Sequence, residues 1–187
     1  LNDIELSNEF TTITTQVAGF NGNGYTLTLP SMWGLNGSYM GLFEEIGQDS
    51  TVRNLNVKFK SSTDISLTSS TTSYFGVLAG RNNGIITNCE VVGGEYNVIS
   101  FKNSSQSNTK YISAFVGYNN GYITNSMASA NLHIKDGRLS GFVGLNAGYI
   151  ASSKVIQSSL IHEGASSLSM GSVAGFVTTN GSASTTS

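Results

Sequence analysis

The side chains that could carry catalysis or hold a metal are few and scattered. The chain has two histidines, His133 and His162, one cysteine, Cys89, and eleven acidic residues. A zinc peptidase of the helical type places two His four residues apart with a Glu between them, so that both rings reach one ion. Neither His stands in that frame. In Leu132-His133-Ile134-Lys135 apolar and polar residues alternate, which points His133 outward beside Lys135. His162 precedes Glu163-Gly164 at a predicted turn. Both read as solvated edge residues, and no metal site is expected. Glycoside cleavage needs two carboxyl groups a few ångströms apart. Asp3, Asp49, Asp64 and Asp136 are far apart in sequence, and in Glu44-Glu45 successive strand side chains point to opposite faces. No Lys-Ser or Lys-Thr pair follows a glycine run, as a phosphate-cradling loop requires. The expectation is a protein that is not an enzyme and takes no cofactor.

The elements that would have to position such residues have an unusual composition. Only 11% of the 187 residues are charged, against roughly 25% in an ordinary soluble domain. Ser, Thr, Asn and 22 Gly carry the polar share. The length fits one domain. A net charge of −2, with nine Lys and Arg spread along the chain, leaves no basic face to displace counterions, so nucleic acid is not an expected partner. No apolar run approaches the ~20 residues of a membrane span. Cys89, being single, cannot form an internal disulfide. Scarce charge with abundant hydroxyls and amides points to an extracellular or cell-surface protein. Beginning at Leu1 rather than Met, the chain reads as a processed or excised segment. Asn36, Asn103 and Asn180 each open an Asn-x-Ser triplet and are candidate glycosylation sites.

An internal repeat organises the chain. Val77-Leu78-Ala79-Gly80-Arg81-Asn82-Asn83-Gly84-Ile85-Ile86-Thr87-Asn88-Cys89 aligns with Ala114–Ser126 and with Gly141–Ser153. A degenerate copy starts at Gly175-Phe176-Val177, and an earlier one at Gly41-Leu42-Phe43 continues through Thr51–Val57. Gly80 to Gly117 is 37 residues and Gly117 to Gly144 is 27. Periods in this range belong to solenoids, propellers or arrays. A propeller blade needs four antiparallel strands over about 40 residues. The shortest unit here holds about three short strands, which fits a solenoid coil. Gly and β-branched residues throughout argue against helical repeats.

These residues resemble the GLUG motif, named for a Gly-Leu-apolar-Gly core, here Val77-Leu78-Ala79-Gly80, Ala114-Phe115-Val116-Gly117 and Gly141-Phe142-Val143-Gly144. Asn-x-Gly and Ile-Thr-Asn follow the core, and Phe20–Leu29 is similar to the opening found ahead of such arrays. The resemblance covers about residues 20–187. Phe43-Glu44-Glu45 and Gly175-Phe176-Val177-Thr178 depart from the pattern, as atypical terminal coils would. The resemblance implies a repeat region of bacterial-type surface proteins, adhesins among them. It also implies a second setting, the non-catalytic part of a secreted peptidase.

The expected fold is therefore all-β, a single parallel β-solenoid of about five to seven irregular coils, right-handed because parallel crossovers are so in nearly all cases. Residues 1–40 would form a first coil or cap with an irregular connection over 30–40, and 41–187 the repeat coils, continuous as one domain. Stacking places Leu78, Phe115, Phe142 and Phe176 in one core column, with Phe43 above. Val52, Ile86, Ile123 and Ile150 make a second column, and Val57, Val91, Ala128 and Val155 a third. Each column repeats about every 4.8 Å, and neighbours bury together what one coil cannot. Asn-x-Gly reads as a turn whose Asn and Gly tolerate positive φ. Asn82, Asn119 and Asn146 would form one amide ladder, and Asn54, Asn88 and Asn125 another. Length variation falls near 69–73, 103–110, 136–137 and 163–169, at one corner, which is the first candidate for a protein partner. Tyr118, Tyr122 and Tyr149 are candidates for a surface glycan, and Tyr122 and Tyr149, which share a column, also fit a plain stacking ladder. Unpaired strand edges at the solenoid ends predict head-to-tail contact with further copies, through residues 1–10 or 181–187.

Overall fold

The computed structural model describes the chain apart from residues 1, 7–9, 15–17, 30–34, 36, 68–71, 94–96, 104–108, 136, 157, 164–171 and 182–187, and apart from the side chains of residues 66, 67, 102 and 103. Short β-branched and aromatic runs bounded by Gly, Asn and Ser become strands of two to six residues. β1 (Ile4–Glu5), β2 (Gly19–Asn21) and β3 (Thr26–Leu29) come first. Four complete turns of five strands follow. The first is β4 (Tyr39–Met40), β5 (Phe43–Ile46), β6 (Thr51–Arg53), β7 (Asn56–Phe59) and β8 (Thr63–Leu67). The second is β9 (Ser73–Gly76), β10 (Ala79–Asn82), β11 (Ile85–Thr87), β12 (Glu90–Val92) and β13 (Val98–Asn103). The third is β14 (Lys110–Ser113), β15 (Val116–Asn119), β16 (Tyr122–Thr124), β17 (Met127–Ser129) and β18 (Asn131–Ile134). The fourth is β19 (Arg138–Ser140), β20 (Val143–Asn146), β21 (Tyr149–Ala151), β22 (Lys154–Val155) and β23 (Leu160–His162). β24 (Ser172–Ala174) and β25 (Val177–Asn180) begin another.

The protein is a parallel β-solenoid, with no helix among the described residues. Five sheets run along the axis. Face 1 is β4-β9-β14-β19-β24, face 2 is β5-β10-β15-β20-β25 and face 3 is β2-β6-β11-β16-β21. Face 4 is β1-β3-β7-β12-β17-β22 and face 5 is β8-β13-β18-β23. Pairing is parallel throughout these sheets, for example Ala79 beside Val116 and Ile86 beside Ile123. Among the described residues the complete turns number four rather than five to seven, because those of the N-terminal part reach only some faces. They supply β1, β2, β3 and a single bridge from Ile13 to Phe43.

Each turn holds five strands, not three. The repeated motif spans three consecutive two-residue corners. Val77-Leu78 joins faces 1 and 2, Asn83-Gly84 joins faces 2 and 3, and Asn88-Cys89 joins faces 3 and 4. Strands of only three or four residues between corners are too short for a period of two to show. The variable segments join face 5 to face 1 of the next turn. Of the irregular connection expected over 30–40, Tyr39–Met40 is instead strand β4, paired to β9, and Leu35 is buried. Pro30, Trp33 and residues 31, 32, 34 and 36 lie outside the described set.

The core is a bundle of columns. Met40, Phe75, Ile112 and Leu139 line face 1, Val52, Ile86 and Ile123 face 3, and Val57, Val91 and Ala128 face 4, all buried. At the corner between faces 1 and 2, Phe115 and Phe142 stack with centroids 4.6 Å apart, and Phe142 and Phe176 at 4.8 Å. Leu78 backs Phe115, and Leu42 continues this column towards the N-terminus. Phe43 does not belong to it. Phe43 pairs with Ala79, one residue further along, and its ring packs edge-on against Phe20 at 5.7 Å. Phe176 is 37% exposed because described residues lie on one side of it only.

Two backbone constraints shape the corners. Positive φ occurs at Asn54, Asn88, Asn125 and Ser152, near 50° in each, and not at the Asn-x-Gly corner. The glycines of Asn-x-Gly serve a different need. A Cβ on Gly121 would lie 2.1 Å from Gly84 O, and one on Gly148 2.2 Å from Gly121 O. Each coil's backbone occupies the space that a side chain on the next would need. By contrast, a Cβ on Gly175 meets nothing within 4 Å.

Two stability predictions follow from this packing. Phe142→Ala should cost about 3–5 kcal/mol in chemical denaturation, and Phe176→Ala clearly less. Gly121→Ala should be strongly destabilising, while Gly175→Ala should stay within about 0.5 kcal/mol of the parent.

Candidate functional site

The motif asparagines occupy two kinds of position. Asn82, Asn119 and Asn146 end their face 2 strands in register. Asn82 Nδ2 donates to Asn119 Oδ1 (2.8 Å), Asn119 Nδ2 to Asn146 Oδ1 (2.7 Å), and Asn146 Nδ2 to Asn180 Oδ1 (3.0 Å). The ladder thus takes in Asn180, also a candidate glycosylation site. Asn82 and Asn119 are fully buried, and each side-chain oxygen also accepts the N–H of the glycine two residues on. Asn54, Asn88 and Asn125 stand at the left-handed corner instead. There Asn88 Nδ2 donates to Asn54 Oδ1 (3.4 Å), and Asn54 Nδ2 to Asn21 Oδ1 (3.0 Å). Asn36 and the side chain of Asn103 lie outside the described residues.

Next to that corner runs a hydroxyl column in which Cys89 takes one place. Ser126 Oγ donates to Thr124 O (2.8 Å) and accepts from Cys89 N (3.2 Å); Ser153 Oγ donates to Ala151 O (2.9 Å) and accepts from Ser126 N (3.2 Å). Cys89 Sγ repeats the inward half of this pattern, lying 3.4 Å from Thr87 O. Burial pushes its thiol up to about 11. A thiol held neutral is a poor nucleophile, so Cys89 is a packing residue.

The two histidines face different surroundings. His133 points outward, with Nε2 3.0 Å from Glu163 Oε1, in a shallow recess that Asp64 and Lys135 also line. His162 stacks in register on Ile134, and its ring nitrogen lies 3.2 Å from Gly137 O. Among the described residues no three His, Cys, Asp or Glu gather as a metal would require.

One side-chain array escaped the sequence reading. Tyr39, Tyr74 and Tyr111 pair in register on face 1, with ring centroids 5.4 and 5.0 Å apart and planes within 17°. Tyr118 of face 2 tilts against Tyr74 at 5.4 Å. The Arg81 guanidinium lies over both Tyr39 and Tyr118, and that of Arg138 lies 5.1 Å from the Tyr111 centroid. Burial, and then the neighbouring phenols Tyr111, Tyr39 and Tyr118, hold the Tyr74 hydroxyl above its usual value. The signal was present: each tyrosine stands two residues before the position equivalent to Gly41, Gly76 and Ser113. These rings cover one another and their cations, and the array closes the angle between two faces. Tyr122 and Tyr149 differ. They pair in register on the outer side of face 3, and both are more than half exposed.

No protein-family model, curated protein or solved structure matches the chain.

Asn119→Ala should cost about 2–4 kcal/mol, because it strands a buried donor on Asn82 and a partly buried acceptor on Asn146. Asn180→Ala, at the exposed end, should cost under about 1 kcal/mol, both read by denaturant unfolding. Cys89→Ser should fold normally, since Ser already fills that column at 126 and 153. The folded thiol holds its proton to higher pH than the unfolded one. Wild-type stability should therefore fall between pH about 9 and about 11 relative to Cys89→Ser.

Proposed function

We propose that the chain is a non-enzymatic structural and interaction module of an extracellular or cell-surface protein, whose copies stack head to tail into a filament. The observation that carries this reading is the state of the two ends. In all five sheets the outermost strands have a neighbouring strand on one side only, among the described residues, and the other side of β5 carries just the bridge to Ile13. One end presents Ile4 and Phe20, the other Val173 and Phe176, all exposed. These are members of the same columns that are buried mid-stack: Ile4 aligns with Leu27 and Val57, Phe20 with Val52, and Val173 with Leu139. A strand edge with unpaired N–H and C=O groups accepts a further strand. Setting the last turn of one copy on the first of another would continue the sheets and cover these side chains. The contact is heterologous and does not close, so its repetition makes a fibre.

Two further features support the reading. The amides and hydroxyls of the repeat are engaged along the axis with their counterparts in neighbouring coils, which builds a stiff rod. The resemblance to GLUG regions and the scarcity of charge point to a surface setting. No helix among the described residues is long and apolar enough to cross a membrane.

Sedimentation velocity over a rising concentration series, with electron microscopy of the same samples, tests assembly. The expected result is end-to-end species that grow with concentration. Val173→Lys combined with Phe176→Ser should return the protein to monomer without lowering its melting temperature by more than a few degrees. A wild-type monomer at every concentration would overturn the proposal.

A further inference from the structure

The outer side of face 3 carries three large apolar residues in one file, Ile85, Tyr122 and Tyr149, all exposed. Beside Ile85 and Tyr122 lies a groove of about 690 Å³, within the usual size of a ligand site. Its polar wall includes Asn83 and Asn120, the acids Glu45 and Asp49, and Arg81. The wall is fixed by its own bonds. Asn83 Nδ2 donates to Glu45 Oε1 (2.6 Å), and Asn120 Nδ2 to Asn83 Oδ1 (3.3 Å). An amide offers two donors and two acceptor lone pairs. These bonds take two of the four on Asn83 and one on Asn120.

The ring geometry separates this file from the buried tyrosines. Tyr74 and Tyr111 stack at 5.0 Å with planes 10° apart, so each closes a face of the other. Tyr122 and Tyr149 are 6.0 Å apart and inclined by 51°, at 58% and 56% exposure. They meet at a tilt rather than face to face, so neither ring covers the other and much of each face stays open. Open aromatic faces beside a rigid row of amides and carboxylates suit a ligand with C–H faces and many hydroxyls. The groove's cation, Arg81, lies 3.9 Å from Glu45 and Asp49 adds a further carboxylate, so no net positive charge awaits a phosphodiester, and the apolar file is too narrow for a broad apolar partner. The aromatic file continues along the axis from Tyr122 in the groove to Tyr149 beyond its lining, where Ala147 takes the place of Asn120, so a ligand that covers both rings is extended along the axis and itself a polymer.

We propose that the face 3 groove binds a neutral polysaccharide, whose pyranose rings lie on Tyr122 and Tyr149 and whose hydroxyls bond Asn83, Asn120 and Glu45. This goes beyond end-to-end assembly and does not depend on it. The test is titration calorimetry of the whole chain with soluble neutral oligosaccharides of the cello, xylo, malto and chito series. Wild type should bind at least one with a Kd below about 1 mM. Tyr122→Ala with Tyr149→Ala should weaken it at least ~10-fold, Asn120→Ala several-fold, and Tyr122→Phe under ~3-fold, since the ring face remains. Unchanged thermal melts would show that the variants fold, and Val173→Lys should leave binding intact. Absence of binding across the panel, or equal binding by the double tyrosine variant, would overturn the assignment. So would self-association lost in that variant without any sugar response, which would give this face to a second copy.

Discussion

Every feature of this molecule is subject to one requirement: a residue must be compatible with the residue one coil away, about 4.8 Å along the axis. No coil has an interior of its own. Phe142 is buried because Phe115 and Phe176 lie on its two faces, and Phe176 loses part of that cover where the described stack ends. Like residues satisfy the requirement best, since equal shapes in equal rotamers stack without gaps. Hence columns of Ile and Val, and a file of phenyl rings nearly parallel to one another.

The same requirement turns polar groups from a cost into a support. A single buried amide would leave donors and acceptors unsatisfied. A column of amides bonds itself, as Asn82, Asn119, Asn146 and Asn180 do, and the first three also tie down the corner beside them. The hydroxyl column next to Asn88 and Asn125 does this with a different atom, and Cys89 shows that a thiol can fill one place. Glycine enters where even a methyl group would strike the backbone of the coil alongside, as at Gly121.

The outward positions are under weaker constraint, and there the columns become mixed. Asp64, Ser100, His133 and Ile161 succeed one another on face 5, as do Thr51, Ile85, Tyr122 and Tyr149 on face 3. Such positions are free to carry recognition. The closed array of Tyr39, Tyr74 and Tyr111 under Arg81 and Arg138 is packing material, although its residue types match those of a binding surface. The difference lies in which ring faces remain open.

The coil architecture, the core columns and the motif asparagines were legible from residue types alone, because a stacked fold writes its contacts into the sequence as a repeat. Leu78, Phe115, Phe142 and Phe176 align by inspection. Phe43 was misplaced by one residue because Leu42, in the true column, is also apolar. The five-strand turn was not legible, since strands of three or four residues between corners are too short to show the alternation that marks a strand. The tyrosine and arginine array required knowing that faces 1 and 2 bring residues from different turns together, as Tyr74 meets Tyr118. The sequence by itself determined what repeats, and so that coils stack. Only the tertiary structure decided where each coil bends, because bending depends on backbone approach between coils, and neither Gly121 nor Asn125 discloses alone which of those two needs it serves.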